Sequence, residues 1–456
     1  MQGLSWRAGL RFALSRKAVL TLAAAWLLIG AHGAMAQSTK PALADCPQGV
    51  AAGSRCLNGR DSAGAYYWLA VPPDWNGVLV VHAHGGPELG EPKAQRPAAD
   101  LTRWSVWTRA GYAYAGSGFH RGGVEVRSAA EDTERVRQLF VAEIGAPKMT
   151  VLHGQSWGAG VAAKAAEMFA PGVDGKHAYD AVLLTSGVLG GGTQSYNFRL
   201  DLRVIYQAVC GNHPKPEEPG YPLWQGLPLD SKLTRAELAT RVDDCTGVRK
   251  KPEQRSAEQR QRLKTVVDVI GIPESSLIGH LNWATWHFQD IVFKRLSGGN
   301  PFSNDGVFYL GSADDAALNA QLARYRFEPQ ARAAFSADTD PTGRIGVPVL
   351  TVHGIHDPIA FVELESVFRD TMQQGGSLDR LVQTFTEDRD HSYQNDAHYV
   401  AAMRSLLDWA QGGSKPTPAS VAARCQALEP VLEPARNCRF VPGFTPQPLS
   451  TRVPAR

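Results

Sequence analysis

A serine lies between two glycines in the run Gly154-Gln155-Ser156-Trp157-Gly158, and this spacing is the strongest chemical signal in the chain. A serine hydroxyl is a weak nucleophile at neutral pH, so it needs a base, a group that orients the base, and donors for the oxyanion that forms. Glycines two residues before and after such a serine relieve crowding where a strand turns sharply into a helix. The motif therefore predicts Ser156 as a nucleophile, although the pentapeptide alone also fits an ordinary glycine-rich turn.

An acid and a base follow Ser156 along the chain, each shortly after an apolar run. Asp357 follows the run at 347–352, and His391 follows the run at 381–385. The order serine, acid, histidine predicts Asp357 as the residue that orients the base and His391 as the base itself. Two alternatives stay open: Asp357 could cap a helix that begins near Pro358, and His398, which we interpret as a surface or structural residue, could be the base.

Two backbone N–H groups are candidates for holding the oxyanion. Trp157 opens the predicted helix behind Ser156, where N–H groups are free and the helix dipole favours negative charge. The loop His84-Gly85-Gly86-Pro87 follows an earlier apolar run, at the place where the second donor usually lies. Because Pro87 has no N–H, we assign the second donor to Gly86, with Gly85 as the alternative; a plain turn is the other interpretation of this loop.

These residues need a sheet to position them, and the hydrophobic pattern predicts one. Short apolar runs rich in β-branched residues suit strands that are buried on both faces, and here they alternate with helical patterns. The strand patterns are at 65–71, 78–83, 112–115, 149–153, 181–185, 347–352 and 381–385, and the helical patterns are at 104–109, 128–144, 157–169, 363–372 and 399–411. This alternation predicts an α/β fold, with a mostly parallel central sheet flanked by helices.

The alternation stops over residues 193–340, where charged helical patterns at 232–242 and 253–269 replace strands. We interpret this segment as a mostly helical cap that divides the core into 37–192 and 341–411. Its aromatic residues Trp224, Trp283 and Trp286 are candidates for lining a substrate pocket, although such clusters more often form the core of the insertion itself. Residues 37–60 are expected to be irregular, and residues 412–456 to form an extended tail.

The first 36 residues have the three-part form of a secretory signal peptide. Four basic residues precede a short apolar run at 18–30, and Ala34-Met35-Ala36 resembles a cleavage site. Removing these four reduces the 47 Lys and Arg to 43, against 44 Asp and Glu. The balance indicates no nucleic-acid partner, and no later apolar run is long enough to span a membrane. We therefore expect a secreted or periplasmic protein without stable membrane insertion, with an uncleaved anchor as the alternative.

All six cysteines follow the signal, and an even number in an exported chain indicates disulfides. Short loops favour pairing between neighbours along the chain, although many other pairings are possible. The expected pairs are Cys46–Cys56, Cys210–Cys245 and Cys425–Cys438. The chain has no Cys-x-x-Cys pair, which argues against a zinc or redox site, and the chemistry predicted for Ser156 implies no metal or cofactor.

The motifs together resemble the α/β-hydrolase superfamily, with residues 65–192 and 341–411 as its core and 193–340 as a cap. Within it, His84-Gly85-Gly86-Pro87 and the pentapeptide around Ser156 are similar to prolyl aminopeptidases, which also have a helical cap and a tryptophan after the nucleophile. Glu88 and Gln155 stand where that family usually has glycines. These departures, together with the export signal and the disulfide-tied tail, resemble secreted esterases of the same superfamily equally well.

The sequence thus predicts a secreted serine hydrolase that cleaves carboxylic esters of small molecules through an acyl-enzyme. The alternative is a prolyl aminopeptidase-like exopeptidase acting on short peptides, which needs acidic cap residues to hold the amino terminus of its substrate. The candidates for that role are Glu217, Glu218, Asp243, Asp244 and Asp290. A third possibility is a binding module of the same fold that has lost catalysis, which the presence of all three triad residues disfavours.

Overall fold

The centre of the fold is one mixed β-sheet, seen in a computed structural model that describes residues 40–170, 177–432 and 437–456. The predicted signal at 1–36 lies outside the described residues. The strands are β1 (Ala42–Ala44), β2 (Arg55–Arg60), β3 (Tyr66–Val71), β4 (Val78–Ala83), β5 (Ala113–Ser117), β6 (Met149–Gln155), β7 (Ala181–Thr185), β8 (Val349–Gly354) and β9 (Leu381–Thr386). Their spatial order is β1-β2-β3-β5-β4-β6-β7-β8-β9.

The sheet is antiparallel at one edge and parallel elsewhere. Strands β1, β2, β3 and β5 pair in antiparallel fashion, whereas β5, β4, β6, β7, β8 and β9 run parallel to one another. Every residue of β4, β5, β7 and β8 is buried, which explains their continuous apolar runs, since a parallel sheet is covered on both faces. The predicted α/β class with a mostly parallel sheet is confirmed.

The register of the parallel strands brings three distant loops to one edge of the sheet. Ala83 pairs with Gly154, so the loop after β4 starts beside the turn at Ser156. Gly354 pairs with Thr386, so the loops that carry Asp357 and His391 start side by side. Because parallel strands all end at the same edge, residues that follow different strands can meet there.

Helices cover both faces of this sheet and fill the segment between β7 and β8. They are α1 (Arg96–Arg103), α2 (Val106–Arg109), α3 (Val126–Glu143), α4 (Trp157–Met168), α5 (Gly191–Ser195), α6 (Asn197–Cys210), α7 (Arg235–Thr246), α8 (Ala257–Ile270), α9 (Leu277–Asn282), α10 (Asp315–Gln321), α11 (Pro329–Thr339), α12 (Leu364–Gln374), α13 (Asp396–Ala410) and α14 (Pro418–Leu432). Two π-helical segments, Trp283–His287 and Asp290–Arg295, follow α9. No helix of the described ranges has the length and apolar character needed to cross a bilayer.

The segment between β7 and β8 carries α5 to α11 and no named strand in its described residues. Its buried side chains, such as Leu238 of α7 and Leu263 of α8, belong to the same hydrophobic core as Val161 of α4 and Phe140 of α3. The core on the other face of the sheet is formed by Trp104, Trp107 and the apolar residues of α13. The helical segment is therefore continuous with one face of the sheet, inside the single compact unit Ala36–Arg456.

Two expectations about the ends of the chain were wrong. The segment 37–60 was expected to be irregular, but in its described part, 40–60, β1 and β2 extend the sheet and β2 pairs with β3 along its whole length. The tail is not wholly extended, because α14 packs against α13. The buried face of α14 consists of only Val421, Ala422 and Cys425, so its helical pattern is too weak to recognise without the neighbouring helix.

Three disulfides join pairs of segments that are near in sequence. Cys46 is bonded to Cys56, Cys210 to Cys245, and Cys425 to Cys438. The first lies beside β2, the second joins α6 to α7, and the third joins α14 to the chain that bridges to Thr386 of β9. These are the pairs that short loops favoured.

Buried histidines are expected to make the fold less stable below neutral pH. His82 and His153 face each other in the core with their Nδ1 atoms 2.9 Å apart, and burial lowers the pKa of His153 to about 3. Burial also lowers the pKa of His398 to about 4 and that of His82 well below its ordinary value. The unfolded chain, whose histidines have a pKa of ~6.5, therefore binds more protons than the folded chain between about pH 6.5 and pH 4.

The free energy of unfolding should fall over this window by up to ~1.4 kcal/mol per pH unit for each such histidine. Urea unfolding midpoints at pH 7.5, 6.0 and 4.5 measure this decline. The variant His153→Gln should show a shallower decline, whereas His356→Gln, a change at an exposed histidine, should keep the full slope. A midpoint that is constant from pH 7.5 to 4.5 would contradict the expectation.

Candidate active site

Ser156 occupies a strained turn between β6 and α4. Its backbone has φ 59° and ψ −123°, a left-handed conformation that a residue with a Cβ rarely adopts. The N–H of Ser156 donates to the carbonyl of Thr185 (3.0 Å), and its own carbonyl accepts from Val188 (3.0 Å) and Ala159 (3.1 Å). These bonds hold the turn in place, so the side chain stands clear of the backbone at the end of the central strands.

The glycines on either side of Ser156 are required by close packing. A Cβ added at Gly158 would lie 2.2 Å from the carbonyl oxygen of Ala83, and one added at Gly154 would lie 2.3 Å from that of Gly158. The helix behind the serine therefore packs directly on the end of β4. Any side chain at either position would push the turn away from the sheet.

Ser156, His391 and Asp357 form a continuous hydrogen-bonded line. Oγ of Ser156 lies 2.7 Å from Nε2 of His391, and Nδ1 of His391 lies 2.8 Å from Oδ2 of Asp357. The carboxylate can only accept, so Nδ1 carries the ring proton and Nε2 is the acceptor for the serine hydroxyl. This arrangement allows His391 to take a proton from Ser156.

The carboxylate of Asp357 is buried and held by the backbone on its other side. Its Oδ1 accepts from the N–H groups of Ile359 (2.8 Å) and Ala360 (3.0 Å), which leaves Oδ2 for His391. The candidate acid therefore caps the turn that follows it while it also orients the histidine. The helix that follows, α12, starts at Leu364 with Glu363 as its N-cap rather than near Pro358, so the alternative that Asp357 caps a helix is wrong.

A second histidine lies beneath the acid. Nε2 of His353 is 3.7 Å from Oδ2 of Asp357, and its Nδ1 is 3.0 Å from Oε1 of Glu365. Burial opposes protonation of His353, but the hydrogen bond and charge of Glu365 outweigh it and raise the pKa of this histidine. The Asp357 carboxylate thus faces a buried histidine that is hydrogen-bonded to Glu365, which the sequence did not indicate.

His398, the alternative base, is fully buried and has structural partners. Its backbone N–H donates to Asn395 Oδ1 (2.8 Å), and its ring Nε2 accepts from the backbone N–H of Arg439 (3.0 Å). Nε2 thus ties the end of the chain to α13. The ring of His398 also lies close to Cys425 and Cys438, and all three are residue types that can bind a metal ion. The two cysteines form a disulfide, so their sulfur atoms are already bonded.

The loop His84-Gly85-Gly86-Pro87 lies directly over the serine. A Cβ at Gly85 would be 3.0 Å from Cβ of Ser156 and 2.2 Å from Oε1 of Gln155. Gln155 also reaches the carbonyl of His391 with its amide nitrogen, at 3.5 Å. Gln155 therefore packs between the two loops that flank Ser156.

Arg96 orients the peptide between Gly85 and Gly86. Its Nη2 donates to the carbonyl oxygen of Gly85 at 2.6 Å, and its other nitrogens pair with Glu88 (3.0 Å) and Asp100 (2.8 Å). In a trans peptide the N–H points opposite to the C=O, so the N–H of Gly86 points away from Arg96. The spacing of Arg96 and Asp100 in the sequence is that of a pair on one helix, but the contact of Arg96 with the carbonyl of Gly85 has no signal in the sequence.

The three candidate pocket tryptophans lie in the helical segment and are all partly buried against its core. Trp283 stacks on His287, with ring centroids 4.0 Å apart, and contacts Tyr196 at 5.1 Å. Trp286 lies under the guanidinium of Arg235, 5.5 Å from its ring centroid. Trp224 packs against the same core. Of the three tryptophans, only Trp283 contacts the start of α6, through Tyr196, the N-cap residue of that helix.

The acidic residues considered for binding an amino terminus are paired or exposed. Glu218 forms an ion pair with Arg241, and Asp290 pairs with Arg295 while it accepts the N–H of Val124. Of the others, Asp243 accepts the N–H of Arg249 (2.9 Å), and Glu217 and Asp244 are exposed. None of these carboxylates is joined to Ser156 or His391 by a hydrogen bond.

Comparisons with known proteins give structural likenesses at low sequence identity. Neither a protein-family model nor a curated protein matches the chain. Feruloyl esterase B from Aspergillus oryzae is 14% identical, with 84% of this chain and 88% of that chain covered and a TM-score of 0.43. The rice cell wall degrading esterase LipA from Xanthomonas oryzae is 13% identical, with 88% of this chain and 98% of that chain covered and a TM-score of 0.39. Puromycin hydrolase is 13% identical, with 83% of this chain and 40% of that chain covered and a TM-score of 0.35.

Proposed function

Since the chain has the α/β-hydrolase fold, we propose that it is a serine hydrolase that cleaves carboxylic esters through a covalent acyl-enzyme. The observation that carries the proposal is the line of two hydrogen bonds, 2.7 Å from Ser156 Oγ to His391 Nε2 and 2.8 Å from His391 Nδ1 to Asp357 Oδ2. Both lie within the range in which a proton passes between a nucleophile and its base.

The first half of the reaction forms the acyl-enzyme. His391 takes the proton of Ser156 as Oγ attacks the carbonyl carbon of the ester, and Asp357 stabilises the imidazolium that results. The tetrahedral oxyanion accepts hydrogen bonds from the N–H groups of Trp157 and Gly86. Collapse of this intermediate breaks the ester C–O bond, and the alcohol leaves with the proton from His391.

The second half releases the acid. Water replaces the alcohol, His391 takes one of its protons, and the hydroxide attacks the acyl carbon of the ester on Ser156. The same two N–H groups hold the second oxyanion, and the proton on His391 returns to Oγ as the carboxylic acid departs. The positive end of α4, at whose first turn Trp157 lies, favours both anions. The mechanism requires no metal or cofactor.

The state of the acidic cap residues favours an ester over a peptide substrate. An aminopeptidase of the prolyl type needs a carboxylate for the substrate's amino terminus, and Glu218 and Asp290 are already paired with arginines. We therefore rank the exopeptidase second. The inactive binding module is ranked third, because it gives no reason for a serine held in a strained turn against a histidine.

The helical segment and the N-terminal residues have separate roles in this proposal. Residues 193–340 serve as the cap over the site, between the core parts 37–192 and 341–411, with 412–456 as the disulfide-tied tail. Residues 1–36 direct export, so the mature protein is secreted or periplasmic; three disulfides support this, since they persist in oxidising compartments. The substrates are small esters, and neither nucleic acid nor stable membrane insertion is involved.

Covalent labelling tests the proposal. A fluorophosphonate probe should label the purified protein on Ser156, as located by mass spectrometry of the labelled peptide, and p-nitrophenyl acetate should be hydrolysed faster than a prolyl arylamide. A faster reaction with the arylamide would favour the exopeptidase. Absence of labelling together with no hydrolysis of either compound would leave the binding module.

A further inference from the structure

Arg199 is a buried cation without an acidic partner. It lies in the first turn of α6 and keeps only 4% of its surface exposed. Its Nη1 donates to the carbonyl of Ser195 (2.6 Å), and its Nε is buried without a hydrogen-bond partner. Throughout the described ranges, no carboxylate forms an ion pair with it. Burial of a charge in this state is costly unless something else pairs with it.

Another arginine of the same helix shows what a purely structural role looks like. Arg203, one turn later, is also fully buried and its Nε is likewise unpartnered, but both of its Nη atoms are used. They donate to the carbonyl of His213 (2.8 Å) and to the hydroxyl of Tyr221 (3.2 Å). Arg203 thereby ties the helix to the loop that follows it, whereas the one hydrogen bond that the structure gives the side chain of Arg199 goes to the preceding turn.

The surroundings of Arg199 are aromatic and electropositive. The guanidinium carbon lies 4.9 Å from the ring centroid of Trp283, 5.3 Å from that of Tyr196 and 4.5 Å from that of Phe198. These rings stabilise the cation through their faces but accept no strong hydrogen bond. The N-terminal turn of a helix also carries partial positive charge, so Arg199 and the helix dipole repel each other and would both attract an anion.

The position of Arg199 is next to the catalytic acid loop. The ring of Phe198 contacts those of His280 (5.2 Å) and Phe361 (5.1 Å), and Phe361 follows Asp357 on the same loop. His280 lies between the two sites: its pKa is lowered well below the ordinary value, first by burial and then by the charges of Arg199 and His391. Phe198, the neighbour of Arg199 in the chain, thus connects the start of α6 to the loop that carries Asp357.

We propose that Arg199 binds a free carboxylate of the substrate, so that the enzyme acts on esters that carry an anionic group beside the scissile bond. This inference rests on the proposed ester hydrolysis. The guanidinium Nε and Nη2 together match the two oxygens of a carboxylate. The rings of Tyr196 and Trp283 supply apolar walls for the part of the substrate between the carboxylate and the ester.

Two pairs of substrates test the inference, because the carboxylate can lie on either side of the scissile bond. In 4-acetoxybenzoate it is on the leaving group, and in mono-p-nitrophenyl glutarate it is on the acyl group. The methyl ester of each compound is its neutral partner. For at least one pair, the free acid should have a kcat/KM at least about 10-fold above that of its methyl ester.

Variants of Arg199 identify the source of this preference. Arg199→Met should lower the ratio of kcat/KM for acid over methyl ester by about 10-fold, and Arg199→Lys should retain part of it. The matched control is Arg235→Met, which removes an exposed cation of the same segment and should change the ratio less than about 2-fold. Thermal unfolding of each variant shows whether it is folded.

The outcomes separate this inference from the proposed function. If acids and methyl esters are cleaved equally well, or if Arg199→Met keeps the preference, the carboxylate site is wrong and the ester hydrolase remains. If Arg199→Met does not fold, the inference is tested on the wild-type enzyme by inhibition of p-nitrophenyl acetate hydrolysis. Glutarate or 4-hydroxybenzoate should inhibit more strongly than its uncharged amide. Equal inhibition by acids and amides would overturn the inference. Absence of any ester hydrolysis and of fluorophosphonate labelling would instead overturn the proposed function.

Discussion

The variant Ser156→Ala is expected to lower kcat for p-nitrophenyl acetate by about 10⁶-fold, which is the scale of loss when a triad nucleophile is removed. The change removes a single atom, Oγ, whose hydrogen-bond partner is Nε2 of His391 at 2.7 Å. The backbone of the turn is held by main-chain bonds to Thr185 and Val188, which alanine keeps. The variant should therefore fold like the wild-type protein.

A double variant shows whether the serine and the histidine act together. His391→Ala alone should be almost as slow as Ser156→Ala, and Ser156→Ala/His391→Ala should be no slower than either, because residues that act as a unit give non-additive losses. Steady-state rates at high enzyme concentration and thermal unfolding curves provide the measurements. If Ser156→Ala keeps a tenth of the activity, the nucleophile is another residue.

The variant Asp357→Asn is expected to lower kcat by about 10⁴-fold by reversing the tautomer of His391. An asparagine carbonyl can still accept from the N–H groups of Ile359 and Ala360, as Oδ1 of the aspartate does. Its amide NH₂ then faces Nδ1 of His391, which must become an acceptor. The ring proton moves to Nε2, so the histidine can no longer take the proton of Ser156.

The neighbouring exposed carboxylate provides the control for this change. Asp390 precedes His391 directly and lies at the surface, so Asp390→Asn removes the same charge near the same histidine without changing its hydrogen bonds. We expect its kcat to be within about 2-fold of the wild-type value. A loss of less than tenfold in Asp357→Asn would mean that another group orients the base.

Much of the fold could be predicted because burial leaves a local pattern. Strands β4, β7 and β8 are buried throughout, so their apolar runs were recognisable one at a time. Ser156, Asp357 and His391 each follow such a strand, and strands that run parallel all end at one edge. The order of these residues along the chain was therefore enough to propose that they meet.

The errors have the same physical basis. Strand β2 is buried at only two of its six residues, and α14 buries only a short face, so neither has the continuous pattern of a central element. The helix expected at 104–109 begins only at Val106, as α2, because Trp104 and Ser105 form a turn that separates it from α1, which was not predicted. In each case the structure depends on packing against a neighbouring segment, and the local sequence does not show which segment that is.

The sequence alone determined the identity of the triad candidates, the α/β class and the glycines that the turn at Ser156 requires. The tertiary structure decided which groups surround them: Arg96 on the carbonyl of Gly85, and the pair of His353 and Glu365 beneath Asp357. Arg199 and Arg203 lie one turn apart in the otherwise mostly apolar helix α6. This spacing places both arginines on one face of the helix and is the signal in the sequence that could have indicated them. Burial follows a period along the chain and is visible locally, whereas the groups that a buried charge contacts depend on how loops and helices fold onto one another.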